Sequence, residues 1–73
     1  MNDREKLNIL EEMMELDEGT LTPETNLSDL DEWDSVTAIS LIAFMEEKYG
    51  KKVEGPQIRR LKVISDVMKL FDD

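Results

Sequence analysis

Between Val36 and Tyr49, apolar side chains stand at almost every angular position of a helix: Val36, Ala38, Ile39, Leu41, Ile42, Ala43, Phe44, Met45 and Tyr49. A helix that is apolar all round has no face to give to water, so it must be packed against several neighbours. Only 73 residues are present to supply them. A domain of that size lies near the lower limit for folding without cross-links, and with no cysteine a disulfide cannot help. Nearly every large apolar residue is therefore expected in one core, and any that stays outside is informative. Helical spacing divides the segment into two stripes. Ala38, Leu41, Ile42, Met45 and Tyr49 form the stripe expected in the core; Val36, Ile39 and Ala43 form a second, expected to stay at least partly exposed because so short a chain cannot cover both.

The remaining elements are read around this helix. From about Asp3 to Leu16, the residues Leu7, Ile9, Leu10, Met13 and Met14 recur at helical spacing with Glu11, Glu12 and Glu15 opposite, which predicts an amphipathic helix. Asp3 is its predicted N-cap, and Gly19 stands just past its expected end. The connection from Asp17 to Asp34 has no sustained period, yet Leu21, Leu27, Leu30 and Trp33 are spaced along it. An ordered loop pinned to the core is expected, with one helical turn around Leu27 to Leu30 and Trp33 as the anchor for entry into the central helix. That helix runs from Ser35 to about Tyr49 and ends at Gly50, with Lys48 complementing its dipole. Pro56 suits the first position of a short helix from about Pro56 to Leu61, which would bury Ile58 and Leu61. A last helix from about Ile64 to Phe71 would bury Ile64, Val67, Met68 and Phe71. The expected fold is all-α, a small four-helix bundle of three main helices and one short one, with a long loop between the first and second, in a single domain over residues 1–73.

Composition narrows the function. Neither Cys nor His is present, which removes thiol catalysis, zinc fingers, His-ligated metals and a Ser-His-Asp triad together, so an enzyme is not expected. The net charge is −9, and between Leu7 and Glu47 twelve acidic residues occur without one Lys or Arg. Such a field steers electropositive partners inward and repels polyanions, so nucleic acid is not an expected partner. An acidic surface also simply keeps a small protein soluble. No apolar run is long enough to span a bilayer and no signal-peptide core is visible, so a cytoplasmic location without membrane insertion is expected. Asp29, Asp31, Trp33 and Asp34 have something of a calcium loop, but the sixth position lacks Gly and the twelfth is Ser40 in place of a bidentate Glu, so no metal site is assigned.

Ser35 stands where this acidic loop meets the apolar helix. Asp34 or Ser35 can cap the helix by accepting from an amide two or three residues on, a contribution of about 1 kcal/mol. Ser35 can also bear a phosphate ester, which gains at a helix N-terminus from free amides and from the dipole. The methionines Met13, Met14, Met45 and Met68 either fill gaps in the core or line a deformable interior.

Taken together, Asp34-Ser35-Val36, the length, the acidity, the long first loop, the run Met45-Glu46-Glu47-Lys48-Tyr49-Gly50 and the short third helix resemble the acyl carrier proteins from about Leu7 to Phe71. The resemblance implies a 4'-phosphopantetheine arm on Ser35, attached by a phosphopantetheinyl transferase from coenzyme A and Mg²⁺, with Asp34 helping to place the motif. It implies a carrier of acyl or aminoacyl groups as thioesters, a monomer visited by acyl-loading and by acyl-transfer or condensing enzymes with basic docking surfaces. Val36, Ile39 and Ala43 fall at the family's apolar docking positions, Glu46 and Glu47 at acidic ones. Some positions depart from the fatty-acid carriers: Thr37 and Ser40 replace acidic residues, the run Asp29-Leu30-Asp31-Glu32-Trp33-Asp34-Ser35 is one residue longer after the leucine and lacks glycine, Val63 replaces a threonine, and Arg59 and Arg60 are basic. These departures imply a specialised pathway over bulk fatty-acid synthesis. The alternative is an unmodified acidic helical module for protein–protein interaction.

Overall fold

The computed structural model describes residues 2–72. Its elements are α1 (Asp3–Met13), a 3-10 turn (Leu27–Asp29), α2 (Ser35–Tyr49), α3 (Gly55–Arg59) and α4 (Ile64–Lys69). The fold is the expected small all-α bundle, and the long first connection carries its helical turn where the leucines placed it. Leu10 of α1, Leu41 and Met45 of α2, and Ile64 and Val67 of α4 are fully buried and form the centre of the core. Leu21 and Leu27 insert into it from the first connection and Val53 from the second.

Several sequence expectations are corrected. The N-cap of α1 is Asn2, whose Oδ1 accepts from the Glu5 amide at 2.8 Å; Asp3 is the first helical residue. The helix ends at Met13, well before Gly19, because Glu15 turns left-handed at φ +59°. The amide of Glu15 donates to the Glu12 carbonyl and that of Leu16 to the Glu11 carbonyl, the two bonds of a Schellman ending. At the far end of α2 the expected glycine does this work: Gly50 sits at φ +64° and the Lys51 amide returns to the Met45 carbonyl.

The stripe of α2 expected in the core is buried at Leu41 and Met45, half-buried at Ala38 and Ile42, and exposed at Tyr49. Tyr49 lies at the rim, its ring edge-on to Phe44 and Phe71 with centroids 5.8 Å away in each case. Edge-to-face packing of this kind stabilises a ring that is only partly covered. α3 starts at Gly55, one residue earlier than expected, and stops at Arg59; Ile58 and Leu61 both pack against the core but stay half-buried, because so short a helix at the rim is not enclosed. α4 stops at Lys69, and the chain beyond it still buries Leu70 and Phe71.

The long connection is ordered by backbone pairing. Asn26 and Val63 form an isolated antiparallel bridge, with the Leu27 amide donating to the Lys62 carbonyl at 2.9 Å. The carbonyls of Thr25 and Pro23 accept from the amides of Ile64 and Ser65, satisfying donors that a helix N-terminus leaves open. Asp66 accepts from the Lys62 and Val63 amides at 3.0 and 3.2 Å, and these two bonds hold its carboxyl below the usual aspartate range. The chain ends are joined by Lys6, which is buried and donates through Nζ to both Asp72 oxygens at 2.8 Å. That contact lowers the Asp72 pKa. No helix among the described residues is long and apolar enough to cross a membrane.

Candidate functional site

Of the two candidate caps for α2, the structure uses Asp34. Its backbone is extended and its Oδ1 accepts from the Thr37 amide at 2.9 Å. Ser35 is the first helical residue, exposed, and its hydroxyl is engaged by none of the described residues. The amides of Ser35 and Val36 also have no acceptor among the described residues. They lie in the first turn, where the dipole of a 15-residue helix is positive. The loop is held against this turn by the Thr37 hydroxyl, which donates to the Glu32 carbonyl at 2.8 Å. Trp33, half-buried against the core, fixes the residue before the cap, and its amide returns to the Leu30 carbonyl.

Beside this turn lies the second stripe. Val36 is 70% and Ile39 65% exposed, and Ala43 is exposed as well. Covering two such side chains with protein is worth about 1.5–3 kcal/mol each at full burial, so the face is available for association. Glu46 and Glu47 are exposed farther along α2, and no ion pair among the described residues engages either. The site residues named from sequence thus lie along one exposed ridge, from Asp34 through Ser35, Val36, Ile39 and Ala43 to Glu46 and Glu47.

The sequence reading passed over Glu11. Helical spacing set it on the polar face, but it is 2% exposed, and its Oε2 accepts from the Gly19 and Leu21 amides at 2.9 Å each. This carboxylate seats the start of the long loop and with it Leu21. Only the returning chain buries it, so no local signal was available. Thr37, read before only as a lost acidic position, proves to be the residue that joins loop and helix.

This geometry can be set beside known proteins. The family model described as "Phosphopantetheine attachment site" matches residues 7–71. An acyl carrier protein of Micrococcus luteus is 27% identical over 64 residues, covering 88% of this chain and 79% of that one. One from Helicobacter pylori strain G27 is 30% identical over 66 residues, covering 89% and 83%. Among solved structures, the holo acyl carrier protein of Geobacter metallireducens superposes with a TM-score of 0.71 at 32% identity, covering 90% of this chain and 76% of that one.

Proposed function

The chain belongs to the acyl carrier protein family, and from that membership we propose that Ser35 is the residue to which its prosthetic group is esterified. The family's members are carriers, not enzymes, and so is this chain; its prosthetic group is 4'-phosphopantetheine. When bound, that group supplies a thiol to a chain that has no cysteine.

The observation that carries the assignment is the division of labour between two neighbours. Asp34 does the capping, which leaves the Ser35 Oγ exposed and uncommitted at the positive end of α2. A phosphodiester at that oxygen would lie within reach of the free amides of Ser35 and Val36, so the surroundings fit an anion. In this reading Asp34 also supports attachment, through the carboxylate oxygen that its cap bond leaves open. A phosphopantetheinyl transferase is the first partner, and acyl-loading and acyl-transfer or condensing enzymes follow. Val36, Ile39 and Ala43 give such partners an apolar contact, and Glu46 and Glu47 pair with basic residues on them. The cytoplasm, where coenzyme A is available, is the compartment this reading implies.

A dedicated pathway is the finer part of the proposal. Its support is that α2 has no acidic side chain in its first turn, where Thr37 is occupied with the loop, and that Arg59 at the end of α3 and Arg60 just after it are exposed. Enzymes that read an all-acidic surface meet a different charge pattern here.

Intact mass after incubation with a transferase, Mg²⁺ and coenzyme A tests the site. Wild type gains the mass of one phosphopantetheinyl group and Ser35→Ala gains none. A wild type that stays bare, or a Ser35→Ala chain that is still modified, overturns the assignment.

A further inference from the structure

Residues 51–62 run against the charge of the rest of the chain. They hold Lys51, Lys52, Arg59, Arg60 and Lys62 against Glu54 alone, a local charge of +4 in a protein of net charge −9, which leaves −13 for the remainder. Lys51 is engaged inside the fold, where its Nζ donates to the Leu70 and Phe71 carbonyls. Lys52, Arg59, Arg60 and Lys62 are exposed, and no ion pair among the described residues engages any of them. Asp66 feels the Lys62 charge, but its carboxylate is already shared between the Lys62 and Val63 amides and Lys69. Four cations thus stand unneutralised in a chain with a twofold excess of acids.

A second observation adjoins them. Where the chain leaves α3 it borders a cleft of about 460 Å³, lined by Asn26, Leu27, Ser28, Trp33, Leu61 and Lys62. No carboxylate of the described residues lines it. The side chains of Asn26, Ser28 and Trp33 carry N–H or O–H donors that no described residue accepts, and the leucines and the indole give an apolar wall. Trp33 stands two residues before Ser35, so the cleft opens near the site.

We propose that this cleft and the cations beside it form a second docking surface, which receives an acidic segment of an acyl-handling partner, one carboxylate in the cleft and others on Arg59 and Arg60. The partner's acyl-handling role rests on the reading that Ser35 is the modified residue; the sign of its surface rests on the charges and donors alone. Uncommitted donors in a cleft without acceptors select an acceptor, and the cations beside it select a charged one. Several cations spread beyond the cleft need several carboxylates, more than one cargo group supplies. An extended polyanion is excluded by the rest of the molecule, since a bilayer or a nucleic acid would meet the −13 as well. A compact acidic patch would not: screening acts over about 8 Å in physiological salt, and in a body of 27 × 24 × 19 Å the two regions are read separately. The carrier is therefore bipolar, with acids toward one part of a partner and cations toward another, and that pairing fixes the orientation in which it docks.

NMR titration of the full, unmodified chain with hexaglutamate tests the surface. Trp33 is the single tryptophan and gives the one indole N–H signal. At low salt, hexaglutamate is expected to move that signal and the amides of Arg60 and Leu61, and to leave those of Ile39 and Glu46 in place. Arg59→Glu/Arg60→Glu is expected to weaken binding about 10-fold, and Lys48→Glu, which changes an exposed lysine outside the patch, by less than about 2-fold. Arg59→Gln/Arg60→Gln should weaken it about 3-fold, and decides the matter if the glutamate pair does not fold.

The proposal is overturned if hexaglutamate leaves Trp33 in place, or if both arginine variants bind it as tightly as wild type. It is overturned equally if phosphatidylglycerol vesicles move the Trp33 signal, which would give the face to a membrane, or if that signal depends on protein concentration, which would give it to a second copy. A Trp33 signal that differs between chains loaded from malonyl- and acetyl-coenzyme A would place a cargo carboxylate there and overturn it too. A wild type that no transferase modifies overturns the Ser35 reading and removes the partner's acyl-handling role, while the peptide titration still decides the sign of the surface. The two failures are therefore distinguishable.

Discussion

The two sides of α2 are built from the same kinds of side chain and face opposite surroundings. Leu41 and Met45 are wholly buried, whereas Val36 and Ile39, on the same helix and just as apolar, are 70% and 65% exposed. The difference teaches how little of a small domain's apolar content its own core can absorb. α1 and α4 share the core with Leu41 and Met45 of α2, and no element among the described residues covers Val36 and Ile39. The buried side holds the helix in place; the uncovered one, beginning beside Ser35, is the face proposed above for partner contact.

The contrast is sharpened most strongly by truncating the buried side. Leu41→Ala is expected to cost about 2–5 kcal/mol, a large part of the stability of a domain this size, and urea denaturation followed by circular dichroism should show it. Asp34 stands at the junction of the two sides, and its cap and its charge can be separated. Asp34→Ala should lose about 1 kcal/mol, while Asp34→Asn, which can still accept from the Thr37 amide, should lose only a few tenths yet slow modification by a transferase. On the exposed side, Ile39→Ala is expected to change stability by less than about 0.5 kcal/mol and to lower kcat/KM with acyl-transfer partners. A stability loss in Ile39→Ala as large as that in Leu41→Ala would break the comparison.

The smallest effect concerns pH and lies outside α2. The carboxyls of Asp66 and Asp72 have folded pKa values below their unfolded ones, from the Lys62 and Val63 amides and from Lys6 respectively. The stability they contribute is complete above the ordinary aspartate value of about 3.9 and is lost as pH falls through the lower folded values. Asp66→Asn should flatten acid unfolding in that range while leaving the neutral region with the same pH slope. Acid titration of the two chains, followed by circular dichroism, checks it.

What the sequence disclosed follows the range of the interactions involved. α2 runs over the residues its apolar density and Gly50 indicated, because a long helix with a strong stop signal is a local matter. The turn at Leu27, the burial of Ile64, Val67, Met68 and Phe71, and the exposure of Val36 and Ile39 followed from spacing and from the size of the chain. Burial of Glu11 and Lys6 did not, since each depends on a segment that returns from elsewhere: the loop at Gly19 and Leu21 for one, Asp72 for the other. The end of α1 was misplaced for a related reason. Tertiary packing of Met14 and Leu21 demands a turn at residue 15, and the chain takes it with a glutamate where local preference pointed to Gly19. At the site itself, proximity of Asp34 and Ser35 was plain from their order, but which of them caps the helix required the structure.

The central claim is that the hydroxyl freed by the Asp34 cap is the one that bears the prosthetic group. Fragment-ion mass spectrometry of the modified chain addresses it directly, because the sequence offers four serines, Ser28, Ser35, Ser40 and Ser65. The phosphopantetheinyl mass should fall wholly on the fragment ions that contain Ser35. Its appearance on ions that carry Ser28, Ser40 or Ser65 without Ser35 would contradict the account.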